Sequence, residues 1–302
     1  MYDTIGLKLV TNEALKWQNL CNVNEVIEQK TGLVKMRAKL SNLQVNEIPE
    51  GIIIFGSLPK YFLGNNLEIL GRKTTKQAIE KLSDELRQKI DNSLLYRFDV
   101  SQNFIMKDRA KNYLNCLDEL SRFKKSVNEK SIYFHSDKVQ LIFYDKIAEM
   151  RKKRQYIPDS FNQYAGKMLR YELRYLRNIK KTFHKEVLLK DLTDELFYIE
   201  LLKKWKSFYF SITKKNKLKF NDMVLKDVKT FQNALMLIAL NSLGLDEVNN
   251  MVELSRDELG RMQMKRIKDK IRQIKQTKEL IEINPLIQEL DKKVNQSIQF
   301  YR

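Results

Sequence analysis

Three short stretches alternate apolar and polar residues with a period of two. They are YRFDV at 96–100, LIFYDK at 141–146 and MLRYELRY at 168–175. A β-strand sends successive side chains to opposite faces, so each stretch reads as a strand with one apolar and one polar side. Arg97 and Asp99 share a face, with Phe98 opposed. Tyr144 and Lys146 share a face with Ile142. Arg170, Glu172 and Arg174 share a third, while Leu169, Tyr171, Leu173 and Tyr175 take the other side. Alone, each polar side is an ordinary ion-paired surface. As neighbours in one sheet they converge, and two carboxylates, a tyrosine, a lysine and arginines meet on one surface.

That inventory suits cleavage of a phosphodiester by a tyrosine. Asp99 and Glu172 offer hard oxygen ligands of the kind Mg²⁺ or Mn²⁺ prefers, and such an ion polarises a scissile phosphate. A tyrosine oxygen attacks phosphorus and stays covalently attached. A neighbouring lysine or arginine lowers the tyrosine pKa and offsets the developing charge.

The rest of the first 187 residues predicts an α+β domain, mainly an antiparallel sheet of nuclease type with flanking helices. Residues 2–10 and 34–40 alternate as strands, and GIIIFG at 51–56 is a buried strand between glycines. Residues 94–100, 131–135, 139–146 and 168–175 are further strands, the middle pair a hairpin around Ser136, Asp137 and Lys138. Helices are expected over 74–90, capped by Thr74 or Thr75, and over 107–125, with Ala110, Tyr113, Leu114, Leu117 and Leu120 at helical spacing. A charged helix over 147–154 ends before Pro158. From residue 188 strand signals fade, and amphipathic patterns run over 193–209, over 224–244 to Gly244, and over 254–278. The chain therefore divides into an α+β region, 1–187, and an all-α region, 188–302.

Charge identifies the partner class. Lys and Arg number 56 against 38 Asp and Glu, giving a formal +18. Such an excess attracts polyanions through phosphate contacts and counterion release. It is clustered: residues 151–185 hold eleven Lys and Arg and two acids. Phe161, Tyr164, Tyr171 and Tyr175 are interleaved there and offer rings for unpaired bases, Tyr171 and Tyr175 reading more simply as core. Arg151, Lys152, Lys153, Arg154, Arg170 and Arg174 are candidate DNA contacts. Farther on, Lys268, Arg272 and Lys275 lie opposite the apolar stripe Met264, Ile267, Ile271 and Ile274, a cationic face for duplex DNA or for a partner protein. No apolar run approaches the roughly 20 residues of a membrane span, and no membrane role is expected. The start lacks a secretory signal. Cys21 and Cys116 read as two buried thiols in a reducing cytoplasm.

Five segments together resemble the replication initiators of filamentous phages, the gene II/X protein type, and the related plasmid rolling-circle initiators. The opening MYDTIGLKL resembles that family's Met-x-Asp strand. GSLPKYFLGNN at 56–66 resembles its Ser/Ala-x-Pro-Lys and Gly-x-Asn motif. YRFDV, FYDKIAE and LRYELR resemble its Arg-x-Asp, Tyr-x-Lys and Arg-x-Glu-x-Arg segments. Order and spacing agree to about residue 180. The resemblance implies an enzyme that nicks one strand at an origin, keeps the 5′ phosphate on tyrosine, leaves a 3′-hydroxyl primer and later rejoins the ends. It implies Tyr144 as nucleophile, Lys146 as its assistant, Asp99 and Glu172 as metal ligands and Asp3 as a third. It adds Lys60, Asn65, Asn66 and Arg97 as DNA contacts, and a host helicase or polymerase as a further partner. The plasmid relatives carry their tyrosine one strand earlier, which makes Tyr133 the alternative nucleophile. The His-hydrophobic-His metal pair of many rolling-circle enzymes is absent, since His135 and His184 stand far apart. Two other readings stay open: a basic regulator that binds DNA without cutting it, and a tyrosine recombinase, whose Arg…His-x-x-Arg pattern is not found.

Overall fold

In the computed structural model, residues 1–11, 15–27, 32, 34–215, 217–218, 227–243, 245–275, 281–282 and 284–300 are described. The strands of the first half are β1 (Tyr2–Val10), β2 (Cys21–Ile27), β3 (Val34–Leu40), β4 (Leu43–Ile48) and β5 (Gly51–Ser57). Then come α1 (Leu58–Leu63), α2 (Arg72–Leu86), β6 (Leu94–Ile105), α3 (Ala110–Asn115), β7 (Lys124–Asn128), β8 (Ser131–His135) and β9 (Val139–Asp145). They are followed by α4 (Lys146–Lys152), α5 (Asp159–Asn162), β10 (Met168–Tyr175), α6 (Ile179–Phe183) and α7 (Glu195–Phe210). The remainder is β11 (Lys217–Leu218), α8 (Val228–Leu243), α9 (Leu245–Leu254), α10 (Arg261–Lys275), β12 (Ile281–Glu282) and α11 (Pro285–Phe300).

Ten strands form one sheet in the order β2-β3-β4-β5-β1-β6-β10-β9-β8-β7. Every neighbouring pair is antiparallel. Two meanders, β2–β5 and β7–β9, thus flank the central strands β1, β6 and β10. One face is a continuous core. Phe143 stacks on Tyr171 at 4.4 Å and Tyr171 on Trp205 of α7 at 4.6 Å, and the Tyr171 hydroxyl donates to the Trp205 carbonyl at 3.0 Å. Burying aromatics of this size dominates the energetics of such a face. The core does not stop at residue 187: Phe197, Leu201, Trp205 and Tyr209 of α7 and Leu290 and Val294 of α11 belong to it. A second cluster joins Leu237, Leu240, Val252, Met264, Ile271 and Ile274, so the stripe expected on α10 is buried.

Several elements differ from expectation. Helix α2 starts before Thr74 and Thr75, at a Gly71 N-cap, and both threonine hydroxyls donate back to the Gly71 carbonyl. The helix expected over 107–125 ends at Asn115. Beyond it the backbone pairs with residues 213–215, Lys215 N donating to Cys116 O and Asp118 N to Thr213 O. Leu117 and Leu120 are buried as their spacing suggested, but in irregular chain. Of the pattern over 254–278, residues 255–260 form turns after the end of α9 and the helix α10 begins only at Arg261, while residues 276–278 lie outside the described residues, as does Gly244. Of the two cysteines only Cys116 is buried. Cys21 is exposed at the start of the edge strand β2, of which Val23 packs partly on the core.

Candidate active site

The polar face holds a cleft of about 1580 Å³ lined from β1, β10, β9 and β8, with α4 along one side. Register brings the parts together. In β10, Arg170 lies opposite Asn103 of β6 and Tyr144 of β9, Glu172 opposite Ser101 and Ile142, and Arg174 opposite Asp99 and Gln140. Tyr2 pairs with Val100 but Ile5 with Phe98, so β1 carries a bulge there. A bulge re-aims a side chain, and Asp3 reaches the site between two core residues, Tyr2 and Ile5.

Three carboxylates and three arginines interlock. Asp99 accepts a two-pronged contact from Arg97, Nε at 3.2 Å and Nη2 at 3.0 Å, and lies 3.4 Å from Arg174 Nε. Glu172 accepts from Arg174 Nε at 2.6 Å, lies 3.5 Å from Arg170 Nε, and accepts from the Tyr144 hydroxyl at 3.0 Å. Asp3 pairs with Arg170 and accepts from Ser57 Oγ at 2.7 Å. Arg170 also donates to Ser101 Oγ at 2.6 Å, to Asn103 Oδ1 at 3.2 Å and to the Asn66 carbonyl at 2.9 Å. Asp99, Glu172, Asp3 and Arg170 are buried, whereas Arg97 and Arg174 are half-buried and border the open face.

This setting fixes the protonation states. Burial and then the nearby Glu172 raise the Tyr144 hydroxyl well above its ordinary value, so it is protonated at rest. Burial opposes ionisation of Asp3, but Arg170 and the Ser57 hydrogen bond outweigh it and hold the carboxyl below its ordinary value. Burial and then Arg170 lower Lys146 to about 8. Its Nζ donates to Glu149 at 2.8 Å and lies 5.9 Å from the Tyr144 ring centre. Burial and then Glu172 push Asp99 up to about 7, against the pull of Arg97 and Arg174. Between about pH 4 and 7 the folded protein therefore keeps a proton on Asp99 that the unfolded chain releases, and stability falls as pH rises through that window. In Asp99→Asn this contribution disappears. Denaturant melts from pH 4 to 8 should give a flatter pH profile for the variant, and identical profiles would refute the raised pKa.

The three carboxylates do not, as arranged, fit a divalent cation. Every one of the three carboxyl groups already has an arginine partner. No group of three His, Cys, Asp or Glu among the described residues converges on one point. Asp99, Glu172 and Asp3, the residues expected to hold Mg²⁺ or Mn²⁺, are each paired with an arginine in this arrangement. His135 of β8 is engaged by its neighbours: its Nδ1 accepts from Gln140 Nε2 at 2.6 Å and its Nε2 contacts Ser126 Oγ at 2.7 Å.

The sequence profile for the N-terminal part of the phage replication-associated protein encoded by gene II matches residues 1–207. The chain belongs to this family. A comparison with curated proteins gives no match. The gene II-type protein is accordingly a phage replication protein, which has DNA as its partner. No helix among the described residues is long and apolar enough to cross a membrane.

Most expected site residues of this gene II-type protein lie in or beside the cleft, but not all in the expected role. Lys146 is not on the strand with Tyr144. Asp145 ends β9 and accepts from Ala148 N at 3.0 Å as the N-cap of α4, so Lys146 enters the site from the first helical turn. Tyr133 shares the open face, opposite Ile142 in β9, with its ring stacked on His135 at 5.5 Å. Lys60 reaches Gln155 at 3.0 Å at the cleft wall. Asn65 is a turn residue whose Oδ1 accepts from Leu67 N and Glu68 N, while Asn66 is buried and holds Arg170 through its carbonyl. Arg151, Lys152, Lys153 and Arg154 are exposed at the end of α4. Tyr171 and Tyr175 are core, and Phe161 and Tyr164 pack on Leu67, Ile147, Met150 and Met168 rather than standing free for bases. Lys268 pairs with Glu253 and Arg272 with Asp269 beside a separate cleft at α9 and α10, and the Lys275 side chain lies outside the described residues. Sequence reasoning missed Ser57, Ser101, Asn103, Gln140 and Glu149. The alternation of Arg97 and Asp99 continues through Ser101 and Asn103, a signal hidden by ending that strand at residue 100.

Proposed function

We propose that the protein nicks one DNA strand through a covalent 5′-phosphotyrosine on Tyr144. One observation carries the reading: the Tyr144 hydroxyl donates to the buried carboxylate of Glu172 at 3.0 Å, inside a cleft bordered by arginines. A tyrosine this reluctant to ionise needs a base within hydrogen-bond reach, and Glu172 is that base. As Oη attacks phosphorus, its proton passes to Glu172. The P–Oη bond forms and the P–O3′ bond breaks. Lys146, with its pKa near 8, gives a proton to the departing O3′. The 5′ phosphate stays on the tyrosine. Arg174 faces the cleft and holds phosphate oxygens, where its charge offsets that of the transition state. Arg170 is a positioning residue that fixes Glu172 and Asp3. Reversal of the same steps rejoins the strand, so one site serves both nicking and ligation.

The test is incubation with supercoiled plasmid carrying the DNA that flanks the gene, in Mg²⁺ and in EDTA. Relaxed circles and a denaturation-resistant adduct at a 5′ end support the reading. Stable complexes with intact plasmid in both conditions would make the protein a non-cutting regulator. The rate should also fall as pH rises through about 8, where Lys146 loses its proton. Lys146→Arg, whose guanidinium does not release its proton, should lower the rate and remove that fall. An unchanged profile would take the acid role away from Lys146.

A further inference from the structure

The β2–β5 meander extends the open face well beyond the cleft, and its two sides differ in charge. Arg37 and Lys39 of β3 stand on the open side with Asn24, Gln44 and Asn46 beside them in register. Arg37, Lys39 and Gln44 are exposed, and together with the two asparagines they line a shallow depression of about 490 Å³. The acids of these strands point the other way: Glu25 lies opposite Met36, and Glu47 opposite the buried Ile52. Neither Arg37 nor Lys39 has an ion pair among the described residues. Between this patch and the cleft the face carries rings. The Arg97 guanidinium sits 5.1 Å from the Phe55 ring centre. Tyr96 lies over Gly6, where a Cβ would stand 2.6 Å from its ring. The absent side chain of Gly6 is what lets that ring lie on the sheet.

We infer that this wing binds single-stranded DNA continuous with the strand held at Tyr144. The inference rests on the cleft being a DNA-strand site, the reading proposed for Tyr144. From β9 to β3 is six strand-to-strand steps, about 29 Å at the usual spacing. Adjacent strands turn by roughly 20–25°, so six steps rotate the face by about 130°. A stiff duplex cannot follow that turn. A flexible single strand can, stacking a base on Tyr96 and placing phosphates on Arg37 and Lys39. The amide row supplies donors and acceptors for base edges.

The experiment is fluorescence anisotropy with an oligodeoxythymidylate of about 30 nucleotides, longer than common single-strand sites, and with a duplex of the same length. Both are titrated at several salt concentrations. Arg37→Gln/Lys39→Gln, both exposed, should weaken single-strand binding about tenfold and flatten the log–log salt slope by about 1.4, or 0.7 per lost contact. Tyr96→Ala should weaken it by about fivefold or more through lost stacking, without changing the slope. Duplex binding should change in neither. Unchanged single-strand affinity in both variants, with melting temperatures as in the parent, would overturn the inference. So would an equal loss on duplex, which would make the wing a general basic patch. Every protein is measured in the Tyr144→Phe background. Binding is thus read without cleavage, and failure of the nickase reading leaves this result standing.

Discussion

Tyr144→Phe is expected to abolish the denaturation-resistant protein–DNA adduct while leaving DNA affinity within about twofold, since one hydroxyl facing Glu172 is a small part of a phosphate-dominated interface. Removing a nucleophile that acts with its base as a unit costs catalysis by about 10⁴-fold or more. The ring stays, and its loss of one hydrogen bond to Glu172 leaves a carboxylate still held by Arg174 and Arg170, so the fold should persist. The measurement is gel retention of labelled 5′-end DNA after denaturation, together with plasmid relaxation. Tyr133→Phe is the paired control, because that ring lies on the same face. If Tyr144→Phe keeps the adduct and Tyr133→Phe loses it, the nucleophile is one strand away. If both keep it, neither tyrosine is the nucleophile.

Arg170→Ala is expected to be the most destabilising single substitution in the site. The guanidinium is 1% exposed and bridges Asp3, Glu172, Ser101, Asn103 and the Asn66 carbonyl. Its removal strands two buried carboxylates, and breaking a buried pair from one side costs about 3–5 kcal/mol. In a chain of this size that lowers the melting midpoint by roughly 5–8 °C. Adding Asp3→Asn to Arg170→Ala should restore part of the loss, because one uncompensated charge is gone. A cost below about 1 kcal/mol, or no recovery in the double variant, would mean that the network is not what holds β1 to β10 at the site.

Much of the site is legible in the amino-acid sequence alone. Alternation is local, so the polar sides of YRFDV and MLRYELRY and their opposed aromatics can be read directly, and the register in β6 and β10 agrees with them. The apolar stripe of α10 is equally plain from its three- and four-residue spacing. Other features are hidden for physical reasons. Lys146 follows Tyr144 at strand spacing, but Asp145 prefers to cap a helix, and the period of two breaks one residue before it. Asp3 needs a bulge, which depends on how β1 pairs with β6 rather than on its own sequence. The edge strand β2 is only partly covered, at Val23 and Val26, three residues apart, so it carries no period-two alternation.

Side-chain periodicity and composition suffice to assign which residues share a strand face, the α+β character, the basic charge and the likeness to phage initiators. Those properties are local or additive, and they need no partner strand. Long-range pairing settles the rest: that β10 sits between β6 and β9, that Arg97, Arg170 and Arg174 take the carboxylates expected to hold a metal, and that Glu172 stands under the Tyr144 hydroxyl. These contacts join residues far apart in the chain. They are chosen by burial of the Phe143–Tyr171–Trp205 stack on the far side of the sheet, and a charged group buried by that choice must find a counter-charge wherever the register brings one within reach.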